Sequence, residues 1–125
     1  MIWTLYLALQ TLVMVVLAVF VIAHRRKNRI SFGVGNDPTM ERKVRIFGNH
    51  NEYTPMHLIL LAAIEGSGGP ILLIHCLGGS FLLGRLFHIL ALSTKKGYGN
   101  SRAIGMILTL TVLIVSAVIL LVRVI

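Results

Sequence analysis

Three polar side chains at helical spacing stand just before an apolar segment. Arg45, Asn49 and Glu52 occupy positions i, i+4 and i+7. In one α-helix this spacing places a guanidinium, an amide and a carboxylate within about 60° of one another. Such a set can bind a zwitterionic or peptide-like ligand, because it offers a cation, an anion and an amide on one face. The alternative is a structural ion pair, in which Arg45 or Arg42 neutralises Glu52 and Asn49 bridges two helices.

Further polar groups occur near the ends of the other apolar segments. Arg85 and His88 are i and i+3 in one segment, Arg102 opens another, and Arg25 and Arg26 follow the first. Taken singly, Arg85 would extend to the membrane surface or pair with the carboxylate described above. His88 would pack in a helix interface, and the remaining arginines would only orient the chain. Membrane topology, however, brings all of them to one depth, which favours a common site.

The elements that must position these groups are transmembrane helices. The chain has 125 residues, of which 56% are hydrophobic, and a mean hydropathy of +0.86. Three apolar segments reach the roughly 20 residues that a membrane span needs, and a fourth spans only if its polar first half is helical and buried. We therefore expect an all-α, integral membrane four-helix bundle, with residues 1–125 as a single domain. Its helices should cover about 2–24, 41–65, 70–92 and 101–123.

The chain has a net charge of +8, and its basic residues are concentrated near the predicted loops. Basic residues cluster at 25–29, 42–45 and 95–102, whereas the connection at 65–70 has none. The positive-inside rule therefore places the first and third loops in the cytoplasm and both termini on the opposite side. Topology accounts for these charges, so we expect no nucleic-acid partner. The first apolar run has no basic residues before it, which indicates a retained helix and not a signal peptide.

Cysteine and histidine spacing does not predict a metal site. Cys76 is the single cysteine, and no Cys/His pattern has the spacing of zinc ligands. His50 and His57 are i and i+7 without a third ligand. The loop composition allows Asp37 or Thr39 to cap the second helix. Four glycines could permit close helix packing: Gly78, Gly79, Gly84 and Gly105.

The polar motif of the second helix resembles a family signature. It reads E-R-x-x-R-x-x-x-N-x-x-E-Y-x-P, formed by Glu41, Arg42, Arg45, Asn49, Glu52, Tyr53 and Pro55. This resembles the MAPEG family, the membrane-associated proteins in eicosanoid and glutathione metabolism. The resemblance extends to chain length, to His24-Arg25-Arg26, and to Gly84, Arg85, Leu86 and His88 in the third helix. It implies a homotrimer with glutathione bound between subunits near the cytoplasmic face, and the short loops look like those of bacterial, inner-membrane members.

The resemblance also implies roles for individual residues. Arg45, Asn49, Glu52 and Tyr53 would contact glutathione, together with Arg25 or Arg26 from the neighbouring subunit, and Arg85 and His88 would complete the site. Arg102 would match the arginine above the thiol in catalytic members. A nearby guanidinium favours the thiolate, which is the nucleophile. The implied reaction joins glutathione, as co-substrate, to a lipophilic electrophile dissolved in membrane lipid, without a metal.

Three departures from the family pattern concern the substrate. Leu92 stands where catalytic eicosanoid members carry a tyrosine, His88 stands where the leukotriene branch often has one, and Phe47 replaces a polar residue of the family's site. Tyr98 is a candidate substitute from the loop. The sequence therefore leaves three functions open. They are a membrane glutathione transferase or peroxidase, a non-catalytic scaffold that binds lipid or thiol, and a proton-coupled small multidrug exporter. The last is disfavoured because arginines share the face of Glu52 and oppose its proton exchange.

Overall fold

Four α-helices make up the computed structural model, which describes residues 1–93 and 100–124. The helices are α1 (Trp3–Asn28), α2 (Pro38–Gly66), α3 (Ile71–Ser93) and α4 (Asn100–Val124). The described ranges contain no β-strand, so the all-α four-helix prediction is confirmed. Helices α3 and α4 begin and end within one residue of the expected positions. Helix α1 continues four residues further, and α2 begins three residues earlier.

Helices α2 and α3 form the middle of the bundle. Each of them contacts the other three helices, whereas α1 and α4 contact only α2 and α3. Three segments of the described chain are long and apolar enough to cross a membrane: Trp3–Asn28, Ile71–Leu90 and Arg102–Arg123. Helix α2 is more polar, but at 29 residues it is about 43 Å long. Packing against the other three helices covers part of its polar side chains, among them His50 and His57, whereas Arg45 and Glu52 stay exposed in the single subunit.

A side-chain cap explains why α2 begins early. The Asp37 carboxylate accepts hydrogen bonds from the backbone N–H groups of Thr39 (2.8 Å) and Met40 (3.2 Å), and Pro38 occupies the first turn. His24 Nε2 donates to the other Asp37 oxygen at 2.6 Å. This bond from α1 holds the pKa of the Asp37 carboxyl below its ordinary value. The same bond joins the last turns of α1 to the start of α2.

A second carboxylate joins the two helices at their opposite ends. Glu65, in the last turn of α2, accepts hydrogen bonds from the backbone N–H groups of Ile2 (2.6 Å) and Trp3 (2.7 Å). Helix α1 has no side-chain cap of its own, so Glu65 satisfies donors that would otherwise lack partners. The negative charge also lies at the positive end of the α1 dipole. Helices α1 and α2 are therefore tied together at both ends.

Glycine brings α3 and α4 into backbone contact. A Cβ added at Gly105 would lie 2.7 Å from the Gly84 oxygen and 2.9 Å from the His88 nitrogen. At Gly78 an added Cβ would meet the Tyr6 ring at 2.5 Å. The prediction of close packing is confirmed at these glycines, whereas Gly79 makes only an ordinary contact at 3.8 Å. The Gly84–Gly105 contact positions the part of the bundle that holds the polar residues.

Candidate functional site

A buried arginine links three helices. The Arg85 side chain in α3 is only 1% exposed. Its Nη1 donates to the backbone oxygen (3.2 Å) and to Oδ1 (3.0 Å) of Asn49 in α2. Its Nη2 donates to Thr109 Oγ1 in α4, and the Thr109 hydroxyl donates to the Gly105 carbonyl. Among the described residues, Arg85 forms no ion pair with a carboxylate.

Aromatic rings complete the surroundings of the Arg85 guanidinium. Its central carbon lies 5.4 Å from the centroid of the Tyr53 ring and 5.6 Å from that of Phe81. Both distances are within the range of cation–π attraction. Neutral dipoles and ring faces thus stabilise the buried charge. The expected alternatives for Arg85, extension to the membrane surface or pairing with Glu52, are therefore both wrong.

The polar stripe of α2 divides into an inner and an outer part. Asn49 and Tyr53 are half-buried and face Arg85, whereas Arg45 and Glu52 are exposed in the single subunit. Within the described residues, neither Arg42 nor Arg45 forms an ion pair with Glu52. The structural ion pair is therefore not present, although Asn49 does bridge α2 to α3 as that alternative required. Two opposite charges remain available on the outer surface of α2.

The expected residues of α3 and α4 lie beside the Arg85 cluster, which consists of Arg85 with Asn49, Tyr53, Phe81 and Thr109. His88 is 2% exposed and lies one turn after Arg85. Arg102, in the first turn of α4, is half-buried and lies near His88. The backbone contact between α3 and α4 at Gly105 produces this arrangement. The structure thus brings Arg85, His88 and Arg102 to one part of the bundle.

The remaining expected residues are not assembled within one subunit. Arg25 is half-buried and Arg26 is exposed, both in the last turn of α1. Within the described chain they form no hydrogen bond or ion pair with the α2 stripe. The Leu92 side chain and Tyr98 lie outside the described residues.

Sequence reasoning missed two side chains that support the site. Thr109 accepts a hydrogen bond from Arg85. The sequence feature that could have identified it is a hydroxyl side chain four residues after a glycine in an apolar helix. His57 in α2 stacks on Phe81 in α3, with ring centroids 3.9 Å apart and an interplanar angle of 4°. The i, i+7 spacing from His50 marked His57 but did not identify its partner. Both contacts fix the helices that carry the polar residues.

The geometry and the comparisons with known proteins agree on the class of protein. Three apolar helices and a central polar helix, with a buried arginine cluster, define an integral membrane four-helix protein. The MAPEG family model matches residues 3–122, and the chain belongs to the MAPEG family. The chain is similar to Inner membrane protein YecN of Escherichia coli K12, with 31% identity over 88 residues, or 70% of this chain and 67% of that protein. The Inner membrane protein YecN of Escherichia coli O6:H1 gives the same values.

Proposed function

We propose that this protein binds glutathione and transfers it to lipophilic electrophiles, or uses it to reduce them, within the membrane. The observation that carries the proposal is the division of the α2 stripe. Arg85 donates two hydrogen bonds to Asn49, the amide of the stripe. Arg45 and Glu52 are exposed and not paired with each other. A preorganised amide between two opposite charges that form no ion pair within the described residues fits a zwitterionic peptide.

Each stripe residue supplies a different interaction for glutathione. The Arg45 guanidinium suits a carboxylate of the tripeptide, and the Glu52 carboxylate suits its ammonium group. Because Asn49 Oδ1 accepts from Arg85, the Asn49 NH₂ group is left to donate to a peptide carbonyl. Tyr53, four residues further along α2, adds a phenol whose ring centroid lies 5.4 Å from the central carbon of the Arg85 guanidinium. The remaining proposed contacts are His88, beside Arg102, and Arg85, which acts through Asn49.

Completion of this site requires further copies of the chain. Glu52 is at the middle of the 29-residue α2 and is exposed in the single subunit. A carboxylate facing lipid at the centre of a span costs at least about 2.5 kcal/mol. A neighbouring subunit that covers the stripe removes this cost. We therefore include in the proposal a homotrimer in which Arg25 or Arg26 of one subunit faces the stripe of the next.

Arg102 is the proposed catalytic residue. Its guanidinium would stabilise the glutathione thiolate once the thiol proton has passed to water. With an aryl chloride as electrophile, the sulfur forms a bond to the ring carbon and chloride departs with the bonding electrons. The apolar outer surfaces of α1, α3 and α4 give access to electrophiles dissolved in lipid. The name of the Escherichia coli relatives supports an inner-membrane location, and the basic loops support a cytoplasmic position for the first and third connections.

The test is glutathione binding to the purified, detergent-solubilised protein, followed by conjugation of chlorodinitrobenzene. The variant Arg102→Ala should retain binding but lose the thiolate absorbance and the turnover. Arg123→Ala is the matched control, because it removes an exposed arginine from the opposite end of α4. Binding without turnover in the unmodified protein would instead support a non-catalytic scaffold. Absence of binding, with proton-linked efflux of a cationic dye, would support an exporter.

A further inference from the structure

The connection between α1 and α2 exposes an aromatic side chain beside a basic segment. Phe32 is 93% exposed, more than any other large hydrophobic side chain of the described residues. It lies between the two helices, so it does not belong to a membrane span as the exposed apolar side chains of the helices do. Four of the five residues from 25 to 29 are basic. The positive-inside rule explains these charges, but it does not explain the exposed phenyl ring.

The chain turns back directly after α1. Arg29 has a left-handed φ of 53°, and the Ile30 N–H donates to the Arg25 carbonyl at 3.0 Å. The Ile30 side chain packs against Gly35, where an added Cβ would lie 3.0 Å from Ile30 Cγ1. Gly35 also has a φ of +60°, so both the space and the backbone favour glycine there. The connection is therefore a defined turn with Ile30 packed against it and Phe32 exposed.

Both ends of this turn lie at the depth where the apolar part of α1 stops. Residues 3–23 form about 30 Å of predominantly apolar helix, which matches the hydrocarbon core of a bilayer. His24 is the next residue and bonds to Asp37 at 2.6 Å, and the turn bonds back to Arg25. The connection therefore lies at the level of the lipid head groups. A phenyl ring exposed at this depth can enter the boundary between head groups and acyl chains.

We propose that this turn binds an anionic phospholipid of the adjacent leaflet, with Phe32 at the acyl chains and Lys27 and Arg29 at the phosphate. Both basic side chains are exposed, and within the described residues they form no hydrogen bond or ion pair. Between residues 25 and 45, seven residues are basic and two are acidic. A basic surface next to a membrane helix attracts anionic lipid, and an apolar anchor strengthens the attachment. This surface goes beyond the glutathione site and does not depend on it.

A single indole placed in the turn reports which lipid lies next to it. Trp3 is the one tryptophan of the chain, so Phe32→Trp in a Trp3→Phe background gives a signal from the turn alone and keeps an aromatic ring there. The protein is reconstituted in vesicles with equal amounts of phosphatidylcholine and phosphatidylglycerol, with bromine on the acyl chains of one lipid at a time. Bromine quenches indole fluorescence on contact. Brominated phosphatidylglycerol should quench with a relative affinity about fivefold higher than brominated phosphatidylcholine, the effect of one basic side chain near an anionic surface.

Charge variants of the same reporter protein test the phosphate contacts. Lys27→Gln and Arg29→Gln should each lower the preference for phosphatidylglycerol about two- to fivefold. Arg123→Gln is the control, because Arg123 bonds to Ser67 in the α2–α3 connection at the opposite end of the bundle, and it should leave the preference unchanged. Equal quenching by the two bromolipids would overturn the proposal. So would quenching by aqueous iodide alone, which places the turn in water, or protection from both quenchers, which indicates that a second copy covers it.

The apolar anchor is tested with the natural residue in place. Native mass spectrometry counts the phosphatidylglycerol molecules that the detergent-solubilised protein retains. Phe32→Ser should retain fewer than the unmodified protein, whereas Phe32→Leu, which keeps an apolar side chain, should retain a similar number. Equal retention by the serine and leucine variants would contradict the role of Phe32.

Discussion

The hydroxyl of Thr109 should be the most informative single group in the Arg85 cluster. It accepts a hydrogen bond from Arg85 Nη2 and donates to the Gly105 carbonyl. Thr109→Val replaces this hydroxyl by a methyl group of similar size, so packing between α3 and α4 is retained. The guanidinium keeps its bonds to Asn49 and its 3.7 Å contact with Met106 Sδ but loses its oxygen acceptor on α4. The variant therefore removes one hydrogen bond to a buried charge, together with the bond from the Thr109 hydroxyl to the Gly105 carbonyl.

The expected loss of stability follows from the burial of both partners. Arg85 is 1% exposed and Thr109 is fully buried, so water cannot replace the lost acceptor. Hydrogen bonds to charged groups contribute about 1.5–3 kcal/mol, while bonds between membrane helices average about 0.6 kcal/mol. We expect Thr109→Val to lower the free energy of unfolding by about 1–3 kcal/mol. At roughly 2–8 °C per kcal/mol, the unfolding temperature falls by several degrees.

Thermal unfolding in detergent micelles measures this loss directly. Thr111→Val is the matched control, because it makes the same chemical change at an exposed threonine on α4. Its unfolding temperature should stay close to that of the unmodified protein. Glutathione affinity provides a second readout, since a less constrained Arg85 holds the Asn49 amide less firmly. If the two valine variants unfold at the same temperature, the role assigned to the Arg85 cluster is refuted.

Three further predictions concern the outer stripe, the glycine contact and the helix cap. Glu52→Gln should weaken glutathione binding about 10- to 100-fold, because a charge-assisted hydrogen bond is lost, whereas Glu41→Gln in the exposed first turn of α2 should not. Gly105→Ala should destabilise the protein by about 1–3 kcal/mol through backbone overlap, whereas Gly48→Ala, with no atom within 4 Å of the added Cβ, should stabilise it by up to about 1 kcal/mol. The pKa of Asp37 is held below its ordinary value of 3.8, so its contribution to stability is complete above that pH and is lost as the pH falls through the lowered pKa; Asp37→Asn should remove this acid dependence.

Each of these experiments has a contradicting result. Isothermal titration showing equal glutathione affinity for the two glutamine variants would remove Glu52 from the site. Equal unfolding temperatures for the two alanine variants would show that α3 and α4 do not meet at Gly105. Unfolding curves measured from neutral to acid pH would count against the cap if Asp37→Asn kept the full acid dependence of the unmodified protein.

Much of the architecture could be predicted from the residues alone. The three apolar runs predicted membrane helices because lipid requires continuous apolar length and internally bonded backbone. Asp37 followed by Pro38 indicated a cap at the start of α2, although the sequence left open whether Asp37 or Thr39 provides it. The i, i+4, i+7 spacing also placed Arg45, Asn49 and Glu52 on one face correctly. Local patterns were sufficient here because helical periodicity is a property of a single segment.

The partners of Arg85 could not be predicted in the same way. Charge alone favoured Glu52, yet the structure pairs Arg85 with Asn49 and Thr109. Periodicity states which residues share a face of their own helix, but not which face of the next helix they meet. Here the backbone contact at Gly105 brings Thr109 against α3, so the nearest acceptors are neutral. The sequence thus decided the helices and the family motif, while tertiary packing decided that the arginine lies inside the subunit and the carboxylate on its surface.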